Sequence, residues 1–341
     1  MTLQSVAKMA GVSPSTVSRV INGSPNVLPD TAKSVRSAIK RLQFTPAPRG
    51  RRARRGERIP ESDAAAATRF LFLVVGDPGI NQSPGFEALL RGVSLATQQH
   101  GMDMSIAFCP DPEAISIASH PHRPEGLLIH GMVPSFVRCP ELKAMPCVWL
   151  MANRERPTWG DQILPDNSAI GAIAASYLMD RGHRRLAMCS FDWCSWSVEV
   201  RGHAFARAAE SRGATADLWV SPRQGIQSAA QIAEEIANAS PRPTGVFIAE
   251  DRQVIPLVIE MRKRGLSFGP GAIELVSCNN EQPYLAGLDP TPATIDIRIE
   301  TIGFRGVEML LSRIQGNSPA ERIRTLVDPI LIEPNVSQLP T

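Results

Sequence analysis

Apolar residues recur at helical spacing through the first 42 residues of the chain and form three separate stripes. Within each stripe the apolar positions fall three or four residues apart, so one face of each segment is apolar and the other polar. The pattern predicts three short amphipathic helices packed into one small domain. The stripes consist of Leu3, Val6, Ala7 and Ala10; of Val17, Val20 and Ile21; and of Ala32, Val35, Ile39 and Leu42.

A tight turn is predicted between the first two helices. Gly11 follows the first stripe, and glycine is the residue best able to adopt a left-handed helix cap. Ser13 then stands where an N-cap belongs, with Pro14 at the first helical position. A short helix, a turn containing glycine and a second short helix form a helix-turn-helix arrangement.

From Arg69 onwards, continuous apolar runs alternate with amphipathic stretches. Apolar strands separated by helices predict an α/β fold with parallel sheets, and a segment of this length is better divided into two lobes than packed into one sheet. The predicted strands are FLFLVVG, EGLLIHG, CVWLMA, RLAMCSF, TGVFIAED and IELVSCN, and the predicted helices are FEALLRGVSLATQQHG, AIGAIAASYLMDRGH, VRGHAFARAAESRG and VIPLVIEMRKRG.

The segment between these two regions has no apolar period and is rich in proline, arginine and small residues, as is typical of a linker. We therefore divide the chain into a helix-turn-helix domain (1–45), a basic hinge (46–68) and a two-lobed α/β domain (69–336). The first lobe is expected to comprise about 69–164 and 296–323, and the second about 165–292 and 324–336.

Charge is distributed unevenly along the chain. The 341 residues carry a net charge of +3, but the first 60 hold twelve Lys and Arg against only Asp30 and Glu57. The head is thus at +10 and the remainder at −7. A basic head on an acidic body suggests that one domain binds a polyanion and the other does not.

Several other classes of protein do not fit the sequence. The first ten residues lack the features of a signal peptide, and no apolar run is long enough to span a bilayer, so a cytoplasmic protein without membrane contact is expected. The six dispersed cysteines are interpreted as reduced thiols, and no spacing suggests a metal or cofactor site. Common nucleotide-binding, metalloprotease and hydrolase motifs are missing, and the six scattered histidines form no acid/base pair, so no enzyme is expected.

The second helix has an outward face suited to a DNA groove. With Val17, Val20 and Ile21 directed inward, positions 14, 15, 18, 19 and 22 point outward. Arg19 has the bidentate donor geometry that recognises guanine, and Ser15 and Ser18 can contact bases or phosphates, whereas Thr16 and Asn22 are better placed for the backbone. The alternative is an ordinary three-helix protein–protein module.

The first 46 residues resemble the DNA-binding head of the lactose/galactose-repressor (LacI/GalR) family. The shared pieces are VA..AGVS..TVSR..N followed by V...T...V..AI..L.F.P, in order and without gaps. The resemblance implies a homodimer on a nearly palindromic operator, with Pro14, Ser15 and Arg19 reading bases. Backbone contacts are implied for Thr2, Ser13, Thr16, Asn22, Val27 and Thr31.

The hinge departs from that family's pattern of a short helix with a wedging leucine. Ala47 replaces the capping Asn, Gly50 falls in mid-helix and Ala53 replaces the Leu. Instead Pro48-Arg49-Gly50-Arg51 is similar to the core of an AT-hook, in which arginines follow a narrow A/T-rich minor groove. Our hypothesis is a minor-groove arm that includes Arg49, Gly50, Arg51 and Arg52; the alternative is a solvated linker with diffuse phosphate attraction.

The α/β region resembles the same family's sensor domain, which is similar to periplasmic sugar-binding proteins. SPGF at 83–86, DN at 166–167, LMDRGHRRLAM, AED at 249–251 and VSCNN at 276–280 carry the resemblance. It implies an effector cleft between the lobes, with a small molecule of carbohydrate type and an Arg, amides and aromatic rings around it. The resemblance implies Phe86, Arg201, Asp251 and Asn279 as cleft residues. Trp193 and Trp196 are added because they follow the predicted strand RLAMCSF, at the carboxyl edge of the sheet.

Three departures bear on the effector. Asn279 replaces the family's usual Asp, Glu250 replaces its usual Asn, and Met151 stands where some members have a cleft Asp. Each cleft residue also has a purely structural alternative, such as helix-surface charge for Arg201, packing for the tryptophans or helix capping for Asp251. We therefore expect a transcriptional regulator controlled by a sugar-like effector, with an architectural or effector-independent DNA-binding protein as the alternative.

Overall fold

The computed structural model describes residues 3–21, 29–42, 67–76, 83–109, 123–131, 140–152, 159–191, 196–220 and 228–334. The chain divides into two compact units, Met1–Ala65 and Ala66–Thr341. No helix within the described ranges is long and apolar enough to cross a membrane.

The first unit contains the three predicted helices, α1 (Leu3–Ala10), α2 (Pro14–Ile21) and α3 (Pro29–Arg41). Their core is built from the predicted stripes, because Val6, Val17 and Val35 are fully buried. The partly buried side chains that pack against it include Ala10, Ala32, Ile39 and Leu42.

The turn between α1 and α2 has the predicted chemistry. Gly11 has a φ of +68°, the left-handed conformation that a side chain would disfavour. The amide of Val12 donates to the carbonyl of Ala7, which closes α1. Ser13 caps α2, since its Oγ accepts from the amide of Thr16 at 3.2 Å and its carbonyl accepts from Val17.

The second unit contains two six-stranded sheets. The first has the order β11-β5-β4-β3-β1-β2 and is parallel throughout. Its register pairs Phe72 of β1 with Leu128 of β3 and Ile106 of β2. Its strands are β1 (Arg69–Val75), β2 (Asp103–Cys109), β3 (Gly126–Gly131), β4 (Cys147–Leu150), β5 (Asp161–Pro165) and β11 (Arg324–Val327).

The second sheet has the order β12-β10-β9-β8-β6-β7. Only the last strand, β12, runs antiparallel to its neighbour. The strands are β6 (Arg185–Ser190), β7 (Thr215–Val220), β8 (Gly245–Ile248), β9 (Glu274–Cys278), β10 (Ala293–Asp296) and β12 (Ile330–Ile332).

Helices cover the faces of both sheets. The first sheet packs with α4 (Pro84–Gln99), α5 (Pro140–Lys143) and α10 (Ile299–Ile314), and we call this assembly the first lobe. The second sheet packs with α6 (Asn167–Asp180), α7 (Trp196–Ser211), α8 (Ala229–Asn238) and α9 (Val254–Lys263), which form the second lobe. The two-lobed α/β architecture with mostly parallel sheets, expected from the alternating pattern, is thereby confirmed.

The core follows the two-residue alternation of the strands. In β1, Phe70, Phe72 and Val74 belong to an apolar cluster that continues into the second lobe, whereas Leu71 and Leu73 face the opposite side of the sheet. In the second lobe, residues such as Val246 and Ile248 form a separate cluster under α8 and α9. Each sheet is therefore buried on both faces, as its continuous apolar strands require.

One lobe boundary differs from the expectation. The sequence pattern places residues from 324 onwards in the second lobe, but β11 pairs with β5 in the first sheet through Arg324↔Gln162 to Val327↔Pro165. The third crossing between the lobes therefore lies between Val327 and Ile330. The apolar pattern did not reveal this, because β11 and β12 are two short strands separated by only two residues.

Candidate nucleic-acid interface and effector cleft

The outward face of α2 rests on a rigid base. Val17 is fully buried and Val20 is 8% exposed, so the inner face of the helix is held in the core. Pro14 and Arg19 are exposed on the outer side. An exposed guanidinium on a short, anchored helix is suited to reading a groove, because its donor pair is free while its backbone is fixed.

The structure describes only some of the residues expected to contact the DNA backbone. Ser13 is exposed, and its Oγ lies 2.9 Å from Oγ1 of the half-buried Thr16. Thr31 is half-buried in the first turn of α3. Outside the described residues lie Thr2, Asn22, Val27 and the hinge residues Arg49, Gly50, Arg51 and Arg52, together with the side chains of Ser15 and Ser18.

In the second unit, polar side chains gather where the parallel strands end. The carboxyl ends of β1, β3 and β4 in the first lobe, and of β6, β8 and β9 in the second, are the usual ligand side of such sheets. The backbone is strained there, because Met151 after β4 and Asn279 after β9 have φ values of 52° and 112°. Positive φ values in non-glycine residues tend to occur at functional sites.

Phe86 lies in the first turn of α4 as the aromatic candidate. Ser83 caps this helix by accepting from the amide of Phe86 at 3.1 Å. The Phe86 ring is 6% exposed and stacks on Phe72 at 6.3 Å and on the imidazole of His130 at 6.0 Å. It therefore forms part of an aromatic stack at the end of the first sheet.

His130 was not among the expected site residues. It ends the apolar part of β3, and Nδ1 lies 3.3 Å from the carbonyl oxygen of Leu150. Burial lowers the pKa of His130 to about 4, so the imidazole is neutral at physiological pH. The available signal was a single polar residue closing an apolar strand, GLLIH, at the carboxyl edge of the sheet.

Arg201 is buried in α7 and is held by other groups of the second lobe. Its Nε donates to Oδ1 of Asn167 at 2.9 Å, and Nη1 donates to the carbonyl of Ala249 at 2.8 Å. The residue as a whole is only 5% exposed. The helix-surface alternative for this residue is thus wrong, because the side chain points into the lobe.

Asp251 follows β8 and is fully buried. Its Oδ1 accepts from Ser277 at 2.5 Å and from Thr294 at 2.9 Å, and its Oδ2 accepts from the amide of Glu281 at 2.7 Å. Burial raises the pKa of Asp251 to about 6, although these hydrogen bonds and nearby Arg201 oppose the rise. The carboxylate ties the ends of β8, β9 and β10 together.

Asn279 and Glu281 follow β9 on the same edge. Asn279 is half-buried, and its Oδ1 is buried without a hydrogen-bond partner in the described structure. Glu281, another residue missed from the sequence, is 8% exposed and accepts from the amide of Gly85 at 2.9 Å. Burial raises its pKa, and the neighbouring charge of Asp251 adds to the rise. A cavity of about 440 Å³ opens beside these residues and is lined by both lobes.

Trp196 lies apart from this group. Trp196 begins α7 and packs against the apolar cluster of Leu71, Leu73 and Trp149 in the first lobe. The guanidinium of Arg324 lies 5.5 Å from the centre of its indole ring. Trp193 lies outside the described residues. The structure thus brings together Phe86, Arg201, Asp251 and Asn279 around the strand ends, and places Trp196 beside the third crossover.

Metal chemistry is not indicated by the part of the chain that the structure describes. It contains no group of three or more His, Cys, Asp or Glu side chains arranged to hold an ion. Cys109, Cys147, Cys189 and Cys278 are buried cysteines that are not joined in disulfides.

Two family models match the chain. Residues 2–47 match the model of bacterial regulatory proteins of the lacI family, and residues 175–333 match a periplasmic binding protein-like domain. A relative described as the HTH-type transcriptional repressor PurR of Aliivibrio salmonicida is 24% identical, with 99% of each sequence covered.

Solved structures show the same fold over nearly the full length. The chain resembles a transcriptional regulator CelR in complex with cellobiose, with a TM-score of 0.65, 22% identity and 98% and 99% of the two chains covered. It also resembles the lac repressor dimer bound to operator and the anti-inducer ONPF, with a TM-score of 0.65, 20% identity and 98% of each chain covered.

Proposed function

We propose that this chain, which belongs to the LacI family of DNA-binding transcriptional regulators and carries an effector-binding domain, acts as a homodimeric repressor on a nearly palindromic operator in the cytoplasm, associated with the nucleoid. Its relatives and structural neighbours are regulators and not enzymes. The observation that carries the proposal is the exposed face of α2, with Arg19 presented from a helix whose inner side is locked by Val17.

Arg19 is proposed to read a guanine, with Pro14, Ser15 and Ser18 beside it and with Thr2, Ser13, Thr16, Asn22 and Thr31 at the phosphates. The test is selection of bound duplexes from a random pool with the wild type, Arg19→Ala and Arg36→Ala. Arg36 is an exposed cation on α3 and controls for charge.

We expect Arg19→Ala to relax preference at one position of each half-site by about 1–3 kcal/mol. Arg36→Ala should weaken binding evenly across sequences. If the wild type shows no preference among duplexes at physiological salt, or if Arg19→Ala retains it, the proposal fails.

The basic hinge is proposed to be a minor-groove arm. Its sequence, with Arg49, Gly50, Arg51 and Arg52, supports an extended chain along an A/T-rich centre. Replacing Arg49 and Arg51 with Ala should weaken binding more on operators with A/T-rich centres than on G/C-rich ones. An equal loss on both would identify the hinge as a solvated linker with diffuse phosphate attraction.

Dimerisation is supported by apolar surface on the first lobe. Leu95 of α4 and Ile106 and Phe108 of the edge strand β2 are 45%, 37% and 54% exposed. An exposed edge with large apolar side chains is normally covered by another chain. Sedimentation should show a dimer that Phe108→Asp dissociates; a monomeric wild type would exclude this assembly.

The effector is proposed to bind between the lobes, with Phe86 and His130 as an aromatic wall and Arg201, Asp251, Asn279 and the two tryptophans as further candidates. The neighbour in complex with cellobiose supports a carbohydrate. Because both carboxylate oxygens of Asp251 are already bonded, we assign this residue to shaping the cleft and Asn279 to direct contact.

A panel of sugars and sugar derivatives tests this in a thermal shift assay of the full chain. A binder should raise the unfolding temperature of the wild type and have less effect on Asn279→Ala and Arg201→Ala. If no compound in the panel shifts it, the second candidate function is favoured, namely a DNA-binding protein that works without a small molecule. The satisfied Asp251 carboxylate is the observation that keeps this candidate open.

A further inference from the structure

One hydrogen bond crosses directly from the second lobe to the first helix of the first lobe. The amide of Gly85, in α4, donates to Oε1 of Glu281 at 2.9 Å. The two residues are 196 positions apart in sequence. Their contact therefore exists only while the lobes are together.

The carboxylate of Glu281 is presented from a rigid base. Its own amide donates to Oδ2 of Asp251, which is fully buried, and Oδ1 of Asp251 accepts from Ser277 and Thr294. Glu281 is itself only 8% exposed. A small movement of Asp251 or its strand would consequently be passed on to the carboxylate.

The receiving side in the first lobe is equally specific. Gly85 lies in the first turn of α4, where free amides and the helix dipole favour a negative charge. A Cβ atom at Gly85 would lie 2.8 Å from Oε1 of Glu281 and 3.2 Å from Cδ1 of Ile299. The contact thus needs a glycine, and it is next to Phe86 in the aromatic wall.

We infer that Glu281 is an inter-lobe latch: its carboxylate bonds the start of α4, sets how often the lobes are closed, and thereby sets the affinity of the DNA-binding head for its operator. The link to operator affinity rests on the proposed function. A latch that bonds only the closed form shifts the population of closed molecules by the free energy of that bond.

Four variants test the latch from both sides. Glu281→Ala removes the acceptor, Gly85→Ala obstructs it, the double variant combines them, and Glu281→Gln keeps an oxygen in place. Glu87→Ala is the matched control, because Glu87 is an exposed carboxylate of α4 that lines the same cavity. Hydrogen exchange of the Gly85 amide and the operator dissociation constant are measured for each.

We expect faster Gly85 exchange and a change in operator affinity of about tenfold in Glu281→Ala, the size of one hydrogen bond to a charged group. Gly85→Ala should change the affinity in the same direction. In the double variant the two effects should not add, because the atom that the new Cβ obstructs is gone. The operator affinity of Glu281→Gln should lie closer to that of the wild type than the affinity of Glu281→Ala does. Glu87→Ala should bind the operator as tightly as the wild type.

Additive effects of the two single variants would overturn the latch, as would unchanged operator affinity in Glu281→Ala despite faster Gly85 exchange. These outcomes differ from failure of the proposed function, in which the wild type itself selects no operator. In that case exchange at Gly85 still reports whether Glu281 holds the lobes together.

Discussion

At the residue scale, the cleft contains the half-buried His130 and the fully buried Asp251, whose pKa values move in opposite directions. Burial disfavours the charged form of both, which keeps His130 neutral and makes Asp251 harder to ionise. The pKa of His130 falls to about 4 and that of Asp251 rises to about 6. As the pH falls between about 6 and 4, the lowered pKa of His130 therefore decreases the stability of the fold, whereas the raised pKa of Asp251 increases it.

For His130, the unfolded chain takes up a proton below its ordinary pKa of 6.5, whereas the folded chain does so only near 4. Stability should therefore be lost as the pH falls from about 6.5 to 4. His130→Asn should flatten this decline in the thermal unfolding midpoint of the body. His203 lies on the exposed side of α7, and His203→Asn should leave the decline unchanged. If the wild type and both variants showed the same dependence of the midpoint on pH, the lowered pKa of His130 would be contradicted.

For Asp251 the sign is reversed, because the folded carboxyl binds a proton below about 6 and the unfolded one only below 3.8. Its contribution should rise as the pH falls between those values and stay constant above about 6. Asp251→Asn lowers stability at every pH, because it disturbs three hydrogen bonds. The informative quantity is therefore the slope of the unfolding midpoint against pH. We expect its unfolding midpoint to fall more steeply on acidification than that of the wild type; a shallower slope would refute the assignment.

At the element scale, the six strands with the longest apolar runs could be predicted from the sequence, but shorter elements were missed even where they are buried, such as β5, β10 and α8. A continuous apolar run such as that of β1 indicates a strand directly, because a strand buried on both faces has no polar alternation. β2 was missed because it is an edge strand with mostly exposed or half-buried residues. β11 and β12 are too short and too exposed to show a period.

The packing of α4 on α10 was also beyond prediction from sequence, since it depends on glycines in the middle of two distant helices. A Cβ at Gly92 would lie 1.9 Å from the carbonyl oxygen of Glu300, and one at Gly303 would lie 2.4 Å from that of Leu89. The two backbones therefore approach more closely than any side chain allows. In sequence, each glycine only weakens its own helix.

This close approach predicts that Gly92→Ala destabilises the first lobe. The new Cβ meets backbone atoms, which cannot move aside without separating the helices, so the free energy of unfolding should fall by about 3 kcal/mol. Gly287→Ala is the matched control, because a Cβ there meets nothing within 4 Å. The thermal unfolding midpoint measures both; a Gly92→Ala protein as stable as Gly287→Ala would show that α4 and α10 are farther apart.

At the scale of the whole molecule, the separate roles of the head and the α/β domain could be inferred from the charge distribution and the apolar pattern. The hydrogen bond between the two lobes could not be inferred in this way. Arg19 and the apolar stripe of α2 are adjacent in sequence, so their helix could be deduced directly. Glu281 and Gly85 are brought together only by the packing of two lobes, and nothing near Glu281 in the sequence indicates its partner. Arg19, whose role follows from its own helix, was therefore expected, whereas Glu281, whose partner is 196 positions away, was missed.

The charge division leads to a prediction that separates contact from net charge. Each Lys or Arg that neutralises a phosphate makes the slope of log affinity against log salt steeper by about 0.9. Replacing Arg54 and Arg55 of the hinge with Gln should make the slope shallower by nearly 2. Replacing the exposed Arg262 and Lys263 of α9 with Gln lowers the net charge equally but should leave the slope unchanged. Were both pairs to shift the slope alike, the affinity would follow the charge of the whole molecule, and the basic hinge would have no special part in holding DNA.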